Sequence, residues 1–268
     1  MITGIPISDS KLQKPFRVLI SGGSGAGKST LMETLVNKNH FSSPFDKIYY
    51  LYPEYLEEPP VLFEPIVDYM PGLPDLNFFS AISKNSLIII DDLMSECGKS
   101  EEIMKLFSVV ARKRNLSIIF LVQNIYDCSR QFRNIRLNAT GFFLFNNYAA
   151  MNVNRRLLRD LGLNNLIPKN LFEKIYSRPY SYIYVDISPG RQSKFSVVRS
   201  NIFDKNVLVY NKIEYIAIPK SEFLKHFKIL EAKEDSIRAV KNEIKIKKRR
   251  KKRRKHSTET ETDSDYST

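Results

Sequence analysis

Gly22, Gly27, Lys28 and Ser29 stand at the spacing G-x-x-x-x-G-K-[ST] within FRVLISGGSGAGKSTLM, residues 16–32. These residue types in this order suit one task, gripping a polyphosphate. Gly22, Gly23, Gly25 and Gly27 allow backbone conformations that turn N–H groups inward, and Ser24 and Ala26 complete the loop. Lys28 neutralises charge on the outer phosphates, the Ser29 hydroxyl reaches Mg²⁺, and Thr30 lies where an α-phosphate would sit. The flanks agree. Arg17-Val18-Leu19-Ile20 is an apolar, β-prone run, and Leu31, Met32, Leu35 and Val36 recur at helical spacing. Strand, loop and helix thus follow in the order that puts phosphates on a helix N-terminus. A Gly/Ser-rich turn that merely contains Lys-Ser would lack this periodicity, so the chain is expected to bind a nucleoside triphosphate.

A second group of residues complements the first. LIIIDD at 87–92 reads as a buried strand ending in two carboxylates, about sixty residues downstream of the loop. In an open α/β sheet ligands sit at the carboxyl ends of the strands. Asp91 there would hold the Mg²⁺ shell through water, and Asp92 would orient or deprotonate an attacking water. The plainer reading of a strand-end aspartate is a helix cap. Gln123 closes the next apolar run, where it suits sensing a γ-phosphate, or is simply a polar strand end. Arg112-Lys113-Arg114-Asn115 lies on the turn before that run, remote from the loop of its own chain. Arg114 could complete a neighbouring subunit's site as an arginine finger. Equally, the cluster could be a solvated basic helix end favoured by the helix dipole.

The elements that must position these residues alternate along the chain. Apolar runs at 17–20, 47–51, 87–90, 116–122 and 141–145 read as strands, with helical spacing at 101–112 and 153–161. Unbroken apolar strands alternating with helices predict a parallel sheet covered on both faces. Residues 54–74, rich in proline and acid, read as an irregular excursion. Beyond Pro168 come a short helix at 171–176 and strands at 181–185 and 194–198. A β-like patch at 207–218 and an amphipathic helix near 221–230 follow, and the tail from about 241 is expected to be disordered.

The chain has 268 residues, 43% of them hydrophobic, enough for one large core rather than two full domains. No apolar run reaches bilayer length, and the first residues lack the apolar core of a secretory signal, so a soluble intracellular protein is expected. Two cysteines and three histidines, widely scattered, argue against a disulfide framework or a zinc site. The net charge is +13. Ten basic residues crowd into positions 245–255, yet without them and the acids beyond, the first 244 residues stay net basic. An anionic partner is implied.

Taken together, LISGGSGAGKS, IIIDDLM, ARKRNLSIIFLVQN, IRLNATGFFLFNN and PYSYIYVDISPGRQSKFSVVRSNIF resemble the genome-packaging ATPases of the HerA-FtsK superfamily. Polintons, adintoviruses and other eukaryotic DNA viruses, including the poxvirus type, carry such proteins. The resemblance covers about residues 15–205. It implies an α/β P-loop NTPase fold of the additional-strand class, a RecA-like three-layer sandwich with a mostly parallel central sheet. It further implies ATP and Mg²⁺ as cofactors, assembly as a pentameric or hexameric ring, and pumping of double-stranded DNA into a preformed capsid. Carried over by position, Lys28 and Ser29 bind nucleotide, Asp91 coordinates metal, Asp92 is the catalytic carboxylate, Gln123 the sensor and Arg114 the trans finger. Many superfamily members have Glu where Asp92 stands, and the shorter side chain needs a closer water.

This reading divides the chain into an ATPase domain at 1–205, an extension at 206–240 and a basic then acidic tail at 241–268. KIKKRRKKRRK in that tail suits phosphate binding or nuclear import, and Thr258, Thr260 and Thr262 each stand three residues before an acid, where phosphorylation would offset the basic charge. Two other P-loop activities share these motifs: a nucleoside or nucleotide kinase, and a non-packaging DNA helicase or partition ATPase. An inactive scaffold fits poorly with an intact loop and carboxylate pair.

Overall fold

Alternating burial sets the architecture. Along β1 (Arg17–Ser21) Val18 and Ile20 face one way and Leu19 the other, and all three are fully buried, as a strand covered on both faces requires. A computed structural model describes residues 11–55, 66–126, 129–146, 151–163, 170–188, 198–200 and 202–203, with the backbone of 206–210 and 215–219. Its centre is a sheet of ten strands in the order β10-β9-β8-β7-β6-β1-β5-β4-β2-β3.

Six of these strands run parallel. They are β1, β2 (Lys47–Tyr52), β3 (Val67–Pro71), β4 (Ser86–Ile90), β5 (Ser117–Val122) and β6 (Gly141–Phe145). β5 lies between β1 and β4, so one strand separates the glycine-loop strand from the acidic strand. That insertion defines the additional-strand P-loop NTPase fold. Beyond β6 the direction alternates through β7 (Tyr182–Asp186), β8 (Val198–Ser200), β9 (Asn206–Tyr210) and β10 (Tyr215–Pro219).

One face is covered by α1 (Lys28–Asn37), whose Leu31, Met32, Leu35 and Val36 pack on Val18, Ile20, Ile89 and Leu121. Helices α2 (Leu76–Ala81), α3 (Met94–Lys99), α4 (Glu101–Lys105), α5 (Ala111–Arg114) and α6 (Arg130–Asn138) cover the other face. They are joined there by α7 (Met151–Asp160) and α8 (Leu171–Ile175). The three-layer expectation holds.

Some elements depart from the sequence reading. Residues 67–71 of the expected excursion form β3, a parallel edge strand on β2. Its sequence VDYMP is mixed and none of its residues is fully buried, which is why no apolar run announces it. The helix expected at 101–112 contains a π-turn at Leu106–Val110 between α4 and α5. Short helices α2 and α6 begin at Asp75 and Ser129, whose side chains accept the N–H of Phe78 and Phe132 as N-caps. Of the strand expected at 194–198, only Val198 lies among the described residues, where β8 begins. The helix expected near 221–230 and the tail lie outside them.

Candidate active site

The parallel register brings the chain's reactive residues to one edge. Ser21 pairs with Val122, and Ile90 with Phe120, so the loop after β1, the acids after β4 and Gln123 after β5 leave the sheet side by side. The glycine loop closes onto this edge through Gly22 N–H, which donates to Val122 O at 3.2 Å. Gly22 is there for space, since a Cβ would come within 2.8 Å of the Phe145 Cβ. Gly27 is there for conformation: it caps α1 with φ of 99°, a left-handed backbone that side chains resist.

Lys28 opens α1 and folds back, its Nζ donating to the carbonyls of Gly22 and Gly23, both at 3.0 Å. Burial pushes its ammonium below the ordinary lysine value, while Asp91 and then Asp92 pull it back up. Ser29 and Thr30 are exposed on the same first turn of α1, ahead of the buried leucine stripe.

The two carboxylates occupy different surroundings. Asp91 is mostly buried, and its backbone N–H donates to Leu51 O at 3.0 Å, continuing the β4–β2 ladder. The fully buried Tyr50 of β2 donates its hydroxyl to Asp91 Oδ2 at 2.5 Å. Burial raises the Asp91 carboxyl above the usual carboxylate range, and the Tyr50 hydrogen bond and Lys28 oppose that rise. Asp92 turns out of the strand with φ of 51°, an uncommon left-handed backbone for a residue with a side chain. Its exposed carboxylate accepts from Gln123 Nε2 at 3.3 Å and from the Tyr55 hydroxyl at 3.4 Å. The edge therefore holds one sheltered carboxylate and one that faces solvent beside an amide and a phenol.

The structure thus assembles Lys28, Ser29, Asp91, Asp92 and Gln123, and places Arg114 elsewhere. Arg114 ends α5 at the start of β5, the opposite sheet edge, where its Nη2 donates to Ile82 O at 2.7 Å. Arg112 and Lys113 beside it are exposed. Sequence reasoning missed Tyr50 and Tyr55, which reach the acids from 41 and 37 residues away. It also missed a cleft of about 550 Å³ beside the loop, walled by Phe145, Tyr180, Tyr182 and Phe203. Only the aromatic density of YSYIY hinted at those walls.

The donor set suits a divalent cation. A largely buried carboxylate, faced by one ammonium and one phenol, lies at the sheet edge from which the loop leads to the exposed Ser29 hydroxyl, and hard oxygen donors of this kind are what Mg²⁺ takes. Among the described residues no cluster of three or more His, Cys, Asp or Glu could hold a metal by itself. Mg²⁺ here would share its coordination with phosphate oxygens. Among the described residues, too, no helix is long and apolar enough to cross a membrane.

No protein-family model matches the chain, and no curated protein matches it. Among solved structures it is similar to B204, the DNA-packaging ATPase from Sulfolobus turreted icosahedral virus. That pair shows 14% identity over 65% of this chain and 94% of that one, with a TM-score of 0.45. The genome-packaging NTPase B204 from Sulfolobus turreted icosahedral virus 2, in complex with ATP-gammaS, matches at 14% identity over 64% and 92%, with a TM-score of 0.44. A KaiC-like protein, PH0186 from Pyrococcus horikoshii, matches at 15% identity over 81% and 97%, with a TM-score of 0.40. Likenesses of this size carry no residue's role across to this chain; its own strand order and loop geometry establish the P-loop NTPase fold.

Proposed function

We propose that the chain is an ATP-hydrolysing motor that moves double-stranded DNA and, as its sequence resemblance suggests, loads it into viral capsids. The observation that carries the hydrolysis is the convergence of Lys28, Asp91, Asp92 and Gln123 on one sheet edge beside a glycine loop. In this reading the loop N–H groups and Lys28 grip the β- and γ-phosphates. Asp92 accepts a proton from the attacking water as its oxygen bonds to the γ-phosphorus and the bond to the β–γ bridging oxygen breaks, giving ADP and phosphate. Gln123 steadies Asp92 and orients that water. Ser29 and Asp91 would hold Mg²⁺, which when bound neutralises charge across the β- and γ-oxygens.

Support for a DNA partner comes from charge. Beyond the net +13 of the chain, α6 carries Arg130, Arg133 and Arg136, and α7 carries Arg155, Arg156 and Arg159. Five of the six are exposed. Tyr126 joins the two sets, its ring lying 4.2 Å from the Arg136 guanidinium carbon and 4.3 Å from that of Arg156. Such a face attracts a phosphate backbone. The tail at 241–268 would add phosphate contacts or direct nuclear import. In a pentameric or hexameric ring Arg114 would serve the neighbouring subunit's site, at the cost of its bond to Ile82. Capsid proteins complete the partner set, and the host nucleus and the virion are the proposed locations.

Steady-state phosphate release, measured with and without long duplex DNA, tests the reading beside Lys28→Ala and Asp92→Asn. Stimulation by duplex DNA that both substitutions abolish is expected. Hydrolysis indifferent to DNA would overturn the motor and move the kinase reading ahead, and phosphate transfer to an added nucleoside would identify a kinase.

A further inference from the structure

We propose that the aromatic cleft beside the first turn of α1 is the nucleobase site, with Tyr180 as its stacking platform. We further propose that the site accepts adenine and guanine with little preference. This rests on the reading of the loop as a triphosphate site and names what that site does with the rest of the nucleotide.

Direction follows from charge. The outer phosphates must lie toward Lys28, with Asp91, Asp92 and Gln123 beyond, where two carboxylates would repel any further anion. The α-phosphate and ribose therefore leave the loop at Ser29 and Thr30, the end from which the cleft opens. Its volume of about 550 Å³ lies within the range of small-molecule sites. The α1 side supplies Leu31 and Thr34, and the far wall is aromatic.

Tyr180 is the unusual member of that wall. It is 72% exposed, follows Pro179, and holds φ of 55°, which a bulky side chain adopts only under constraint. The constraint has a visible result, because the ring rests against the loop itself. A Cβ at Gly27 would lie 3.4 Å from Tyr180 Cδ1 and 3.5 Å from Phe145 Cε1. The backbone is thus bent to present an aromatic face to solvent at the mouth of a phosphate loop. The other rings are fixed from behind, Phe145 against Tyr182 at 5.6 Å and Phe203 against His40 at 4.9 Å.

Selectivity follows from the polar lining. The side chains that separate adenine from guanine most sharply are a carboxylate, an amide or a guanidinium aimed at the base edge, because each matches one base's fixed donor and acceptor pattern. Among the described residues the cleft wall carries none of these. Its polar side chains, apart from Lys28 at the phosphate end, are hydroxyls, and Thr34 Oγ1 already donates to Thr30 O at 2.7 Å. Stacking on an aromatic face tolerates every base.

Equilibrium binding to the full-length protein tests this, with fluorescent ATP displaced by ATP, GTP or inorganic tripolyphosphate. ATP and GTP are expected to compete within about threefold of each other. Tyr180→Ala should weaken both about tenfold, the lower part of the range for removing one base stack. Tyr180→Phe should restore binding, and tripolyphosphate, which has no base, should bind equally to all three proteins. Unchanged ATP affinity in Tyr180→Ala, equal losses for ATP and tripolyphosphate, or a preference for one purine above about thirtyfold would overturn the proposal. Failure of wild-type protein to bind either ATP or tripolyphosphate would instead overturn the triphosphate site on which the proposal rests.

Discussion

The parallel and antiparallel halves of this sheet divide the labour. Strands β1, β4 and β5 lead into polar side chains, Lys28 on the following helix, Asp91, Asp92 and Gln123, and their bodies are apolar runs. The antiparallel strand β7 begins in an aromatic ring, Tyr182, beside Phe145 at the end of the parallel β6, and the acid that closes β7 is buried in an ion pair with β8. Arg199 of β8 and Asp186 of β7 meet at 2.7 Å, 1% and 9% exposed. Polar groups in the first half therefore gather at one sheet edge, while those in the second pair within the fold. The same comparison holds between neighbours: Asp91 is sheltered by Tyr50, whereas Asp92 is left to solvent, Gln123 and Tyr55.

Substitutions in the two halves should accordingly fail in different ways. Asp92→Asn removes the proposed proton acceptor and should lower turnover by about 10³, with nucleotide affinity and melting behaviour kept, as single-turnover rates and thermal unfolding would register. Equal loss of stability would erase the distinction. Asp186→Ala removes the carboxylate that faces the buried Arg199 guanidinium at 2.7 Å and should cost roughly 3 kcal/mol in denaturant unfolding. Loss of hydrolysis without loss of stability there would place catalysis in the wrong half.

Tyr50→Phe sharpens the contrast between the acids. Removing the hydroxyl that orients Asp91 should raise the Mg²⁺ concentration for half-maximal hydrolysis about tenfold, as loss of a supporting hydrogen bond to a metal-holding carboxylate does. An unaltered Mg²⁺ requirement would leave Tyr50 as core packing alone. The smallest effect is expected at Cys97. Burial raises its thiol well above the ordinary cysteine value. Alkylation of Cys97, followed by peptide mass, should be negligible in the folded protein and complete in denaturant.

The two halves were also unequally legible in the sequence. The loop, the acids and Gln123 are read from short motifs because each lies within a few residues of its strand end, and parallel pairing then aligns those ends. Runs such as LIIID and SIIFLV announce strands buried on both faces. Tyr180, Phe145 and Phe203 come from three separate segments and meet only in the folded chain, so no spacing rule finds them. Tyr50 looks like any core aromatic until β2 is paired with β4. β3 was missed because an edge strand needs no apolar run, and α6 because three arginines dilute its buried Phe132 and Ile135.

In the proposed function, hydrolysis at the parallel edge drives movement along DNA. Displacement of a third strand from a long triplex-bearing duplex, followed by fluorescence, measures that movement directly. ATP-dependent displacement by the full-length protein, and none by Asp92→Asn, is expected. Robust DNA-stimulated hydrolysis with no displacement would show that the site burns nucleotide without moving the duplex, contradicting the claim.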